Sequence, residues 1–230
     1  MSIHDYEKPS LTTDMVLFKV DREQVQDKRK TAKAELKIVL VKREDAPQKG
    51  FLSLPGGFVG IDEGIEENVK RKLEQKAGLK GNFYMEQLYT KGDLNRDSRG
   101  RVISVSYLGL CNEENLINVG TLADVGWYKV TEILSGVYGD LAFDHAEIIE
   151  YALDRVRNKI EYTDIAFNLV PNEFTISEIQ DVYELFLNKE ILNFRRKISE
   201  YIVSTGKKTE GQQFRPAELY MLNKHRDSKF

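Results

Sequence analysis

Residues 54 to 79 read LPGGFVGIDEGIEENVKRKLEQKAGL, and this stretch constrains the fold more than any other. It opens on a Pro-Gly-Gly turn and then carries Ile65, Val69, Leu73 and Ala77 at i, i+4, i+8 and i+12. That spacing predicts a helix with one apolar stripe, and Gly78 just beyond it suits the left-handed conformation that closes helices. The preceding segment ELKIVLVKRE, residues 35 to 44, is dominated by β-branched residues and predicts a strand. A strand, a glycine turn and a helix in succession fit an α+β fold.

Further strands are predicted at MVLFKV (15 to 20), NFYMEQLYT (82 to 90), RVISVSYLGLC (101 to 111) and GWYKV (126 to 130). Residues 1 to 10 read as a lead-in, and the polar stretch DREQVQDKRKTAK, 21 to 33, as a surface loop because nothing in it repeats at the period of a buried face. DHAEIIEYALDRVRNKI, 144 to 160, is an amphipathic helix with Asp144 as its expected N-cap, and it closes a first domain of residues 1 to 160. In residues 161 to 230 the pattern changes. Thr175 or Ser177 caps a helix to about Leu187, Asn193 caps a second, FRRKISEYI, and a strand near 201 to 203, a polar loop and a strand at 218 to 222 follow. Two helices with a tight connection and a two-stranded basic loop describe a winged helix-turn-helix.

Composition sets limits. With 41% hydrophobic and 31% charged residues, the chain can bury a real core and is not a disordered protein. No apolar run approaches membrane-spanning length, and the N-terminus lacks a signal-peptide pattern, so a cytoplasmic location is expected. Cys111 is the only cysteine, and His4, His145 and His225 have no zinc-site spacing, so neither a disulfide nor a metal site is expected. The net charge of −3 is unevenly spread: residues 161 to 188 hold six acids and no Lys or Arg, whereas 189 to 230 hold ten Lys or Arg against five acids. A basic end on an acidic chain points to a polyanion partner or to a solvated terminal surface.

From Gly57 the chain resembles the Nudix hydrolases, whose signature is GX5EX7REUXEEXGU with U aliphatic: Gly57, Glu63, Arg71, Leu73, Gly78 and Leu79 match in register. The resemblance implies an α/β/α sandwich around a mixed sheet. In that family the glutamates at i, i+3 and i+4 hold Mg²⁺ or Mn²⁺ against a diphosphate, because hard divalent cations need oxygen ligands. Here those three places are Lys72, Gln75 and Lys76. Glu67 and Glu74 point elsewhere around the helix, and Glu63 alone beside two lysines is a poor cation site. No catalytic residue and no cofactor are therefore expected, with Mg²⁺ relevant only to residual hydrolysis. What remains is a binding pocket, with Arg43, Phe51, Gly56, Gly57, Phe58, Glu63, Lys72 and Lys76 as its candidate residues. The two lysines either attract a phosphate or carboxylate or form an ordinary solvated face, and Phe58 serves equally as pocket wall or core.

Loss of the acids beside an added winged helix resembles the Nudix-related transcriptional regulators. The segments DLNRDSRGRVISVSYLGL (93 to 110), AFDHAEII (142 to 149), AFNLVPNEFTISEIQDVYE (166 to 184), NFRRKI (193 to 198) and RPAELY (215 to 220) carry this resemblance over nearly the whole chain. It implies a homodimeric repressor on operator DNA with ADP-ribose or a sugar as effector. On the recognition helix Phe194 and Ile198 anchor to the core while Asn193, Arg195, Arg196 and Lys197 face DNA; Lys207 and Lys208 in the wing and Arg215 beside it are expected to contact phosphate or the minor groove. Arg215 pairing with Glu218 is the plainer reading. Two further functions compete: an active ADP-ribose pyrophosphohydrolase, favoured by Glu63 and the LPGG turn, and a module that recruits a protein through its basic end.

Overall fold

The computed structural model describes residues 6–22, 33–120, 122–210 and 216–223. Strands β1 (Ser10–Arg22), β2 (Ala34–Lys42), β3 (Leu52–Ser53) and β4 (Gly56–Phe58) lead into helix α1 (Ile65–Ala77). After it come β5 (Leu79–Gly81), β6 (Tyr84–Lys91), β7 (Val102–Cys111), β8 (Leu116–Asn118), β9 (Val125–Lys129), the short α2 (Val130–Leu134) and α3 (His145–Ile160). A 3-10 turn (Ile165–Leu169) connects to α4 (Ile176–Leu187), α5 (Phe194–Ile198), β10 (Ile202–Lys208) and β11 (Glu218–Leu222).

The main sheet runs β3-β2-β1-β7-β6, with β4 also on β1 and β9 also on β2. β1 and β7 are parallel from Ser10 opposite Val102 to Lys19 opposite Cys111, and the other pairings are antiparallel, so the sheet is mixed. Strand alternation sends Met15 and Leu17 to one face, against Val69, Leu73 and Ala77 of α1, and Val16 and Phe18 to the other, against α3. Covering both faces explains why β1 reads as an unbroken apolar run rather than an alternating one. This is the expected sandwich.

The local differences have physical reasons. β1 begins at Ser10, because Thr12, Thr13 and Asp14 are polar strand residues buried under neighbouring chain. The strand at 126 to 130 ends at Lys129, and Val130 already starts α2. Asp144 makes no side-chain cap to α3; its carboxylate binds Arg96 instead. Thr175 does cap α4, in a reciprocal box with Glu178, and Asn188 ends that helix in the left-handed region at φ 49°. α5 stops at Ile198, since Ile202 is drawn into β10, and Asn193 precedes it at φ 56° without a side-chain cap. Only part of the stretch 21 to 33 is described, with Asp21 and Arg22 completing β1, and Arg215 and His225 lie outside the described residues.

The winged helix does not stand apart from the sandwich. Its buried Phe174, Ile179, Val182, Phe186, Phe194 and Ile198 belong to the same apolar cluster as Phe18, Leu40 and Ile148. The rings of Phe18 and Phe186 meet edge to face at 6.2 Å. Arg22 is ion-paired with Asp181, and Arg157 donates to the Phe186 carbonyl at the end of α4. Within the winged helix, Phe174 and Tyr220 exchange both backbone hydrogen bonds, adding a third short rung to the wing.

Candidate functional site

The loop before α1 is tied down from inside. Asn68, fully buried, accepts from the Thr13 hydroxyl at 2.6 Å and donates to the Phe58 carbonyl and to Glu63, each at 2.8 Å. Glu63 also accepts from the Gly60 amide at 2.6 Å and from both Nε and Nη2 of Arg71, at 2.8 and 2.5 Å. The guanidinium, Asn68 and the Gly60 amide together hold the Glu63 carboxyl at a pKa of about 2. Glu67 caps the helix by accepting from the Gly64 amide, and Glu74 faces Lys80. Gly56 has a packing reason: a Cβ there would lie 2.2 Å from the Thr13 carbonyl oxygen, so only glycine lets β4 lie on β1.

Between this loop, the ends of β1 and β2, and the N-terminus of α3 lies a cavity of about 480 Å³. At its base Asp14, 6% exposed, accepts from the Ser104 hydroxyl at 2.5 Å and faces His145 Nε2 at 3.5 Å and Arg96 at 3.4 Å. Burial would raise the Asp14 pKa, but His145, Ser104 and Arg96 outweigh it and leave it lowered. His145 Nδ1 accepts from the Leu54 amide at 2.9 Å, which leaves the ring proton on Nε2, toward Asp14. One wall alternates cation and ring: Arg43 lies 4.7 Å from the centre of Phe143, and Arg99 lies 5.7 Å from Phe143 and 5.1 Å from Phe58. Phe143 is held at φ 53°, with its amide donating to the Gln48 side chain. A bulky residue in that region marks a conformation maintained by its surroundings.

Of the eight residues expected in the pocket, Arg43, Gly56, Gly57, Phe58, Lys72 and Lys76 line the cavity, with Gln75 between the lysines. Phe51 and Glu63 do not: Phe51 is exposed just before β3, and Glu63 is turned into the Arg71 lock. The sequence reading missed Asp14, Arg96, Arg99, Phe143 and His145. Arg96, Arg99, Phe143 and His145 had one signal, that segments 93 to 110 and 142 to 149 carry the family resemblance; Asp14 had none, because no spacing connects it on β1 with His145 on α3.

The residues at this place do not fit a divalent cation. Both Glu63 oxygens are engaged, and the two basic side chains of the helix offer no lone pair while charged. No cluster of three His, Cys, Asp or Glu side chains suited to a metal occurs among the described residues.

The basic face of the winged helix is partly internally paired. Arg195 donates to the Tyr220 hydroxyl at 2.6 Å and lies 3.6 Å from Glu218, the acid that the plainer sequence reading pairs with Arg215. Lys207 pairs with Glu173 at 2.7 Å. Arg196, Lys197 and Lys208 are exposed, with no ion pair among the described residues. Lys207 and Lys208 lie on β10 itself rather than in a loop.

These features define a Nudix sandwich with basic residues in place of its metal ligands, fused to a winged helix. A family model described as the NUDIX domain matches residues 27–152, and one described as the NrtR DNA-binding winged helix domain matches 166–222. The ADPR responsive transcriptional repressor NtrR of Acinetobacter baylyi is 34% identical over 222 residues, 94% of this chain and 83% of that protein. Among solved structures, Shewanella oneidensis NrtR complexed with a 27mer DNA superposes with a TM-score of 0.73 at 34% identity, covering 93% of each chain. The Nudix domain of the same protein complexed with ADP ribose gives 0.53 at 33% identity over 68% of this chain and 94% of that one. The chain belongs to the NrtR family of Nudix-domain proteins with a DNA-binding winged helix. No helix among the described residues is long and apolar enough to cross a membrane.

Proposed function

We propose that this protein is a transcriptional repressor that binds operator DNA through residues 161 to 230 and is released by ADP-ribose bound in the Nudix portion, residues 1 to 160. The observation that carries this reading is the cavity that persists where the metal ligands are gone: Lys72 and Lys76 line it in place of carboxylates, so the site holds a diphosphate without the means to activate water. The relatives that are ADP-ribose responsive, DNA-bound or ADP-ribose-bound support the same assignment. Arg196, Lys197 and Lys208 supply exposed cations for DNA, and Arg195 is aimed by the wing. Like other helix-turn-helix regulators the protein acts as a homodimer, two recognition helices about one DNA turn apart, in the cytoplasm where the chromosome lies.

The alternative of pyrophosphate hydrolysis is opposed by the engaged Glu63. The test is fluorescence anisotropy of labelled DNA from upstream of the protein's own gene and its neighbours, at fixed salt, with and without ADP-ribose and simple pentoses. Sequence-selective binding that ADP-ribose reverses is the expected outcome. Binding no tighter than to random DNA refutes the repressor assignment for those sites, and release by a pentose alone reassigns the effector.

A further inference from the structure

Three cations open onto the cavity with no carboxylate within ion-pairing distance among the described residues, although Asp14, Asp45 and Asp97 act on Arg43, and Glu63 on Lys72, from farther away. Arg43 donates only to the Pro47 and Asp45 backbone carbonyls, and Lys72 and Lys76 have no ion pair. Arg96 and Arg99, on the same cavity, are by contrast matched by Asp144 and Asp97. Lys72 and Lys76 are one helical turn apart, where like charges oppose each other. The Lys72 aliphatic end lies over the Gly57 backbone, the position of a missing Cβ falling 3.0 Å from its Cε and 3.2 Å from its Nζ. The amine is thus placed at the lip of the Pro-Gly-Gly turn, and Gly57 is the residue that leaves room for it. Burial and the charges of Arg71 and Lys76 push the Lys72 pKa down, the direction expected of a cation waiting for an anion. Exposed Glu44 and Asp45 share the cavity border, and neither is within ion-pairing distance of these cations.

We infer that Lys72 and Lys76, with Arg43, take over the charge role of the divalent cations that the Nudix fold implies, so that this pocket binds a nucleoside diphosphate sugar without metal. The inference rests on the ADP-ribose reading and specifies how the site achieves it. A bound diphosphate offers several oxygens to two ammonium groups, each with three donors, and it removes the mutual repulsion of the pair. A divalent cation entering the same place would meet two ammonium groups at close range, so Mg²⁺ is expected to give no benefit.

The experiment is isothermal titration of the full chain with ADP-ribose, once in EDTA and once in excess Mg²⁺. The same dissociation constant in both is expected. Lys72→Gln weakens binding about tenfold to a hundredfold, the range for a charge-assisted hydrogen bond. Replacing all three positions together, Lys72→Glu, Gln75→Glu and Lys76→Glu, abolishes binding in EDTA and restores it with Mg²⁺. Circular dichroism of each variant establishes that the chain is folded. Tighter binding of the native chain in Mg²⁺ than in EDTA overturns the metal-free inference and leaves the ADP-ribose reading standing. Equal binding of Lys72→Gln and the native chain also overturns it. No heat in either buffer refutes the ADP-ribose reading itself.

Discussion

Glu63 and Arg71 show how one ion pair fixes a functional loop. The folded carboxyl titrates near 2 instead of its ordinary 4.5, so the pair stabilises the fold fully above pH 4.5 and the contribution disappears as the pH falls through about 2. Carbon-detected NMR of Glu63 is expected to show that depressed midpoint, and Arg71→Ala to return it toward 4.5. A midpoint already near 4.5 in the native chain would remove the lock. On the DNA side, Tyr220 passes a hydrogen bond from Arg195 to Glu218, its hydroxyl donating to Glu218 at 2.5 Å and accepting from Arg195 at 2.6 Å. Tyr220→Phe keeps the buried ring and removes only this bridge. It is expected to cost about 1 kcal/mol of operator affinity, read by anisotropy, with thermal stability little changed; unchanged affinity would show that Arg195 needs no bracing. Arg196→Ala, at an unpaired cation, is expected to cost about 1 to 3 kcal/mol if it reads a base, and to flatten the salt dependence if it contacts phosphate.

At the scale of elements, helix α4 is fixed by its N-terminal box. Thr175→Ala leaves the Glu178 amide without its side-chain acceptor and is expected to destabilise the protein by about 1 kcal/mol in thermal unfolding. A loss indistinguishable from zero would contradict that role. This helix was legible in the sequence because its cap, apolar stripe and end are all local signals. α1 was legible for the same reason, although Ile65, counted in its stripe, is 36% exposed and the buried polar Asn68 beside it was missed. α5 was read too long because FRRKISEYI is amphipathic throughout, while the pairing of Ile202 with Leu222 claims its last residue for the wing. The geometry of the cavity base was not legible, although Ser104 and His145 lie in segments that carry the family resemblance: Asp14, Ser104 and His145 come from three elements joined only by the register of β1 on β7 and the packing of α3. Asp144 and Asn193 stand at the N-cap positions the sequence predicts for α3 and α5, but neither side chain caps its helix, because an arginine partner in one case and a left-handed backbone in the other override the local preference.

For the whole molecule, the shared core is the main physical fact. Phe186 of α4 is 1% exposed and packs against Phe18 of the sheet, so the winged helix has no apolar interior of its own that excludes the sandwich. Phe186→Ala is expected to cost about 3 to 5 kcal/mol. Trp127, the sole tryptophan and part of β9, is expected to change fluorescence in the same denaturant transition as far-UV circular dichroism; two separated transitions would show independent halves. A shared core of this kind lets a ligand in the Nudix cavity and DNA on the winged helix bias one common state, and such coupling is reciprocal. The most direct measurement is therefore the ADP-ribose dissociation constant of the free protein and of the protein saturated with operator DNA, beside the operator constant with and without ADP-ribose. Both ligands are expected to weaken each other by the same factor. Equal ADP-ribose affinity in the free and DNA-bound protein would contradict it.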